Sequence, residues 1–368
     1  MNTRLFIGLM SGTSIDGIDA GLVDLSQPVP LLLASAHQAL PDELRRHLLE
    51  CARGGALTPL QITRIDHDFG QQLAQVVEQL LNSARLPPSA VEAIGSHGQT
   101  ILHQPDDSLT WQLGAPAVVA ARTGIPTVAD FRSLDMALGG EGAPLAPLFH
   151  EAALRSPTQA RGIVNLGGIA NITMLEPETR LRGFDTGPAN ILMDAWMQRA
   201  HGKLFDAEGK RAARGKVIDT LLQTLLTHPY YAAPPPKSTG REVFDLDELD
   251  RALDTMDSSA VPTDDDVLST LCELTVRTVT GALREHAPQI TELLVCGGGA
   301  RNPELMQRLR LAFPGKVKPT DEAGIPARWM EVMAFAWLAQ QHLDKQHVDT
   351  TLLTGASRPH VPGCLYRP

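Results

Sequence analysis

A short apolar run, a glycine-rich turn and a second apolar run occur twice in this chain, at residues 6–25 (FIGLMSGTSIDGIDAGLVDL) and 163–175 (IVNLGGIANITML). Each reads as two strands joined by a tight reversal, with glycine supplying the backbone freedom the turn needs. One copy stands near the start of each half of the 368 residues, a length suited to about two domains of roughly 150 residues. Identity between the copies is low. Their shared order still points to two similar α/β domains, each opening with a hairpin.

The remaining pattern supports this reading. Apolar runs at 4–9, 18–25, 31–36, 93–94, 110–113 and 126–129 predict strands in the first half. Helical spacing runs from Pro41 to Ala52, and again from Thr58-Pro59, a cap followed by proline in the first turn, as far as Pro87-Pro88. In the second half strands are expected at 162–166, 169–175 and 293–296, and helices at 190–200, 216–226, 264–286 and 327–341. The stretch 130–142 holds three glycines within four residues and reads as a hinge. The expected division is therefore 1–130, with a tail at 345–368 packing back onto it, and 131–344.

Charge and composition narrow the function classes. Thirty-two basic against 42 acidic residues leave a net charge of −10, which disfavours nonspecific binding to nucleic acid or an anionic membrane. Aromatics are only 4%, too few for a base-stacking platform. No apolar run reaches the roughly 18 residues that span a bilayer, and the first residues lack a signal-peptide pattern, so a soluble protein is expected. Four scattered cysteines form no metal-ligand pair, and reduced, mostly buried thiols of a cytosolic protein are expected. The 12 histidines show no HxxxH or HExxH spacing.

Several turns carry chemistry. Gly12, Thr13, Ser14, Ile15, Asp16 and Gly17, continuing into Ile18 and Asp19, combine small and hydroxyl residues that suit a phosphate, or else form an ordinary hairpin turn. Asp16 and Asp19 are candidate ligands of Mg²⁺, directly or through water, since that ion takes one or two carboxylates alongside phosphate oxygens. Gly297, Gly298 and Gly299 follow a buried strand and precede a helix capped by Asn302. They permit close approach of a planar ligand or a phosphate, or make a tight strand-to-helix turn. Asp185, ahead of a Gly-Pro pair, is either a helix cap or a general base. His97 and Gln99 in SHGQT, and Asp130 in DFR, end expected strands, the edge where open α/β sheets bind ligands; for His97 the alternative is a hydrogen-bonded structural histidine, the commoner case for a lone histidine. Glu331 interrupts an apolar helix and either faces solvent or points into a site. A GxxxxGK[ST] motif, a GxGxxG after a strand and the protein-kinase motifs are all absent.

In family order these pieces are IGLMSGTSIDGIDA, SHGQT, DFR, VNLGGIANIT, GFDTGPANILMD, VCGGGARN and RWMEVMAFAWLA, spread over nearly the whole chain. Together they resemble the anhydro-N-acetylmuramic acid kinase family within the sugar kinase/Hsp70/actin superfamily. The resemblance implies two ribonuclease H-like α/β domains around a nucleotide cleft. It implies ATP- and Mg²⁺-dependent conversion of 1,6-anhydro-N-acetylmuramic acid to N-acetylmuramic acid 6-phosphate in cell-wall recycling, by a cytoplasmic homodimer. Residues 12–19 would hold the phosphates, Gly167 and Gly168 would form a second phosphate loop, and Gly297, Gly298 and Gly299 would pass the adenosine. Asp185 matches the family's catalytic base, and His97, Gln99, Asp130 and Glu331 are the expected sugar contacts. The superfamily's usual acid before the first phosphate loop is absent, the strand reading Phe6-Ile7-Gly8. The competing reading is a nucleotide-driven actin- or chaperone-like switch without a small substrate; a carbamoyl-transfer reading is opposed by the missing HxxxH.

Overall fold

The computed structural model describes residues 3–12, 15–240, 243–256 and 262–368; Thr13 and Ser14 of the first glycine turn lie outside the described residues. Contacts divide the chain into two units, Met1–Leu154 with Trp329–Pro368, and Arg155–Arg328.

In the first unit the echoing segment forms β1 (Leu5–Met10) and β2 (Gly17–Asp24), followed by β3 (Leu31–Ala39). Two helices then lead to β4 (Val91–Ser96), a small hairpin of β5 (Gln99–Gln104) and β6 (Leu109–Leu113), and β7 (Thr127–Ala129). In the second unit, β8 (Arg161–Leu166), β9 (Ile169–Leu175) and β10 (Arg182–Pro188) precede β11 (Glu292–Cys296) and β12 (Lys316–Pro319). The last strand, β13 (Cys364–Tyr366), returns to the first unit and pairs with β7.

The two main sheets have one plan. The first runs β13-β7-β4-β1-β2-β3 and the second β10-β9-β8-β11-β12. In each, three consecutive strands form an antiparallel meander, and two later strands add in parallel beside the first of them. This repeated order is the two-domain α/β architecture expected from the hairpin echo. The long crossover into β11 is the helix Asp264–His286, whose start is a capping box between Thr263 and Asp266. Its Leu268, Leu271, Val276, Val279 and Leu283 face the second unit's core.

The boundaries differ from those expected at 130 and 344. The helix Met330–Leu343, placed by sequence in the second domain, covers the first sheet. Gly21, Gly8 and Gly95 stand side by side across β2, β1 and β4 and make a smooth bed for it. A Cβ on Gly8 would lie 1.8 Å from the Val332 carbonyl oxygen, and one on Gly95 1.9 Å from that of Phe335. The glycine-rich stretch 130–142 likewise lies inside the first unit. Its Asp135 is fully buried, accepts hydrogen bonds from Thr350 and Thr354 at 2.6 and 2.9 Å, and takes another from the Gly142 amide at 2.8 Å. Those bonds fasten the stretch to the C-terminal tail, and the chain passes between units at 154–155 and 328–329. All four cysteines are free, Cys272 and Cys296 buried, Cys51 partly buried and Cys364 exposed on the short β13.

Candidate active site

The turn between β1 and β2 is tied down from within the first unit. Ile15 adopts φ +52°, its amide donates to the Gly12 carbonyl at 3.1 Å, and its own carbonyl accepts from Arg45 Nε at 2.8 Å. Ser11 Oγ sits 2.7 Å from Gln99 Oε1 and 3.0 Å from the Gly17 carbonyl. The Ile15 and Ile18 side chains belong to the hydrophobic core, so only their backbone is available to a phosphate. Gly17 is required by packing, because a Cβ there would lie 2.8 Å from the Gln38 backbone carbonyl oxygen. Asp16 is exposed, whereas Asp19 Oδ1 lies 2.7 Å from His37 Nδ1.

At the C-terminal ends of β4 and β7, segments far apart in sequence come together. Arg132 donates from Nη2 to His97 Nε2 at 2.9 Å, which leaves the proton on Nδ1, 2.9 Å from the Gly98 carbonyl oxygen. Phe335 packs on the His97 ring at 4.8 Å between centroids and on Phe131 at 5.5 Å. Burial, reinforced by the Arg132 charge, pushes the imidazole down to about 3. Desolvation also lowers Arg132 to about 10 against the opposing pull of Glu331. Burial pushes the Glu331 carboxyl up, with Arg132 opposing and Asp19 adding to the rise. The result is a cation, a carboxyl group and a neutral imidazole grouped at a sheet edge, a set able to order the hydroxyl and amide groups of a polar ligand. Gln99 is buried and bonded to Ser11 and the Thr100 carbonyl. Asp130, at φ +56°, accepts from the Ser133 hydroxyl and, with His97, Trp111 and Tyr366, lines a cavity of about 230 Å³. Arg132 was visible in the DFR motif, but only the contact with His97 marks it as a member of the cluster.

In the second unit the two remaining glycine turns meet. Gly167-Gly168 is the two-residue link between β8 and β9, and its carbonyls accept from the amides of Ala189, Asn190 and Ile191 at 2.9–3.1 Å. Asn190 Nδ2 adds bonds to the Leu166 and Gly167 carbonyls at 2.9 and 2.7 Å. A Cβ at either glycine would meet nothing closer than 3.5 Å. Packing therefore does not demand glycine there, and its absence of side chain leaves the turn bare for a ligand. Gly297 and Gly299, by contrast, press on Leu166 at the end of β8, where Cβ atoms would come within 2.8 Å of its carbonyl carbon and 2.6 Å of its Cβ. Gly298 faces Asn190 with room to spare.

Asp185 lies on β10 where the register slips: it pairs with Asn171 while Gly187 pairs with Ala170, leaving Thr186 as the extra residue. Such bulges re-aim a side chain. Asp185 does not cap the following helix, whose N-cap is Ala189 with no side-chain bond. Its Oδ2 instead accepts from the Thr239 amide at 3.0 Å. Nothing in the residue pattern around Thr239 indicated a partner 54 residues away. Among the described residues no group of three or more His, Cys, Asp or Glu side chains is arranged to hold a metal by itself.

The sequence profile of a family described as anhydro-N-acetylmuramic acid kinase matches residues 4–368. The chain is 50% identical over 364 residues to a protein of that name from Bordetella pertussis, covering 99% of this chain and 96% of the relative. It is 44% identical to one from Saccharophagus degradans with full coverage of both, and 44% identical to one from Vibrio parahaemolyticus covering 99% and 98%.

Proposed function

The chain belongs to the anhydro-N-acetylmuramic acid kinase family, and on that premise we propose how its residues divide the reaction. The enzyme uses ATP to open 1,6-anhydro-N-acetylmuramic acid and phosphorylate O6, giving N-acetylmuramic acid 6-phosphate in cell-wall recycling. A nucleotide-driven switch without a small substrate is not favoured by that membership.

The substrate's chemistry dictates what the protein must provide. The internal bridge leaves no free hydroxyl at C6, so an ordinary sugar-kinase attack has no nucleophile. Water must add at C1 as the C1–O6 bond breaks, and the departing O6 then attacks the γ-phosphorus, releasing ADP. We assign Asp185 as the base that takes a proton from that water. The observation carrying this is its place on a β-bulge with the carboxylate held by a backbone N–H, an arrangement that helix capping does not require. The backbone of 12–19 and the bare turn Gly167-Gly168 are assigned to the phosphates, and Gly297, Gly298 and Gly299 to the adenosine. His97, Gln99, Asp130 and Glu331 are assigned to the sugar, with Arg132 added to them. In that role His97 and Gln99 act as a buried scaffold, which leaves Arg132, Glu331 and Asp130 to meet the ligand.

An exposed Asp16 and a partly buried Asp19 beside one phosphate turn offer hard oxygen donors that suit Mg²⁺ only with phosphate oxygens and water completing its shell. Bound there, the ion supplies charge neutralisation at the phosphoryl oxygens. The same reading includes a homodimer in the cytoplasm; free thiols, one of them exposed, suit a reducing compartment, and no described helix is long and apolar enough to cross a membrane.

Turnover in ¹⁸O-water tests the order of bonds. Label is expected at C1 of product quenched before anomeric exchange, and not in the C6–O–P bridge or in free phosphate. Label in free phosphate matched to ADP release would mean simple ATP hydrolysis and would overturn the assignment.

A further inference from the structure

One segment of the second unit, 230–239, grips Asp185 at three points. Tyr230 Oη donates to the Asp185 carbonyl oxygen at 2.6 Å, the Asp185 amide donates to the Lys237 carbonyl at 3.1 Å, and the Thr239 amide donates to Oδ2 at 3.0 Å. Two of these contacts hold the Asp185 backbone, through its N–H and its carbonyl, and the third holds the carboxylate, so backbone and carboxylate are oriented together.

Lys237 closes this segment on itself. Its Nζ donates to the carbonyls of Tyr230 and Tyr231 at 3.0 and 3.1 Å, and lies over the rings of Tyr230 and Phe184 at 4.8 and 5.7 Å. Desolvation lowers the ammonium below its ordinary range, with Glu285 opposing. The footing is aromatic: Tyr231 stacks on Phe244 at 5.9 Å between centroids. Gly187, at φ +139°, leaves the space Tyr231 occupies, since a Cβ would lie 2.8 Å from its Cε1. A partly buried cation spent on two backbone carbonyls stitches the beginning of the segment to its end.

We infer that Lys237 is a positioning residue: by stitching the segment it keeps Tyr230 Oη and the Thr239 N–H on Asp185, and so sets the direction of the proton-accepting carboxylate. The inference rests on the assignment of Asp185 as base. Two consequences separate it from a merely structural role. Misaiming a catalytic group costs turnover more than substrate affinity. Loss of an N–H donor from a carboxylate disfavours its ionised form, so the acidic limb of the pH profile must move to higher pH.

The test compares Lys237→Met, Lys237→Arg, Tyr230→Phe and Asp185→Asn for kcat, both KM values and the pH dependence of kcat/KM. Lys237→Met is expected to lower kcat by roughly 10- to 100-fold, leave both KM values within about twofold, and raise the acidic limb by about half a pH unit or more. Lys237→Arg should recover most of the loss. Tyr230→Phe removes one hydroxyl without disturbing the core, so it tests the same strap if Lys237→Met folds poorly, and it should lower kcat in the same direction. An inactive Asp185→Asn beside unchanged kcat and unchanged acidic limbs in the Lys237→Met and Tyr230→Phe enzymes would overturn the positioning role alone. Near-normal turnover by a folded Asp185→Asn would overturn the base assignment and this inference with it.

Discussion

Burial beside Arg132 holds the His97 imidazole at about 3, well below the 6.5 or so of an exposed ring. The folded ring therefore stays neutral while the unfolded ring gains a proton as pH falls through about 6.5, so stability is lost on acidification between those two values. The slope is about 1.4 kcal/mol per pH unit. Between pH 7 and pH 5, denaturant unfolding of the parent should lose about 2 kcal/mol more than that of His97→Gln; equal slopes would mean that the folded ring takes up the proton. Comparison with the variant is needed because His150, fully buried, is pushed down in the same way. At this scale the sequence marks the residue types but not their tasks. His97, Gln99, Asp130, Asp185 and Glu331 were legible as polar groups at strand ends or inside an apolar helix. Their partners were not, because Arg132 reaches His97 from 35 positions away and Thr239 reaches Asp185 across 54. Only folding sets such distances.

Glycines separate into two kinds once their elements are packed. Gly8 and Gly95 lie beneath the helix Met330–Leu343, whose backbone oxygens would meet any Cβ within 1.9 Å. Gly281, within the helix Asp264–His286, has no atom within 4 Å of its would-be Cβ. Gly95→Ala should therefore cost about 2–4 kcal/mol through a lifted helix. Gly281→Ala should add about 0.5–1 kcal/mol by reducing the freedom of the unfolded chain. Thermal melts of the two variants check both signs, and a neutral Gly95→Ala would show that the helix does not bear on β4. Most elements were legible from periodicity and caps: Ile169–Leu175 is the strand expected, and the helix Asp264–His286 covers the residues expected of it, opening on its three acids. The strand Lys316–Pro319 and the helix Leu246–Asp254 were not. The first is too short and basic to show an apolar pattern. The second is a charged helix that buries only Leu249 and Ala252.

At the scale of the whole molecule, the first unit draws its core from both ends of the chain, whereas the second is continuous from Arg155 to Arg328. An isolated 155–328 fragment holds all five strands of its sheet and should melt cooperatively. A 1–154 fragment leaves the glycine bed of β2, β1 and β4 uncovered, along with Asp135 deprived of Thr350 and Thr354. It should stay molten or aggregate until a peptide spanning 329–368 is supplied. Near-ultraviolet circular dichroism distinguishes the cases, and a cooperatively folded 1–154 alone would contradict this account. The sequence by itself determined the α/β class, the doubled hairpin that opens each sheet, the glycine turns and the family, because each is written in local composition and order. The tertiary structure decided which unit owns the helix Met330–Leu343 and the stretch 130–142, and which cation and which amide attend His97 and Asp185. The physical reason is one of range. Apolar period, caps and turn chemistry act over a few residues and leave their mark there. A buried partner is selected by shape and charge across tens or hundreds of positions, where the chain carries no local sign of it.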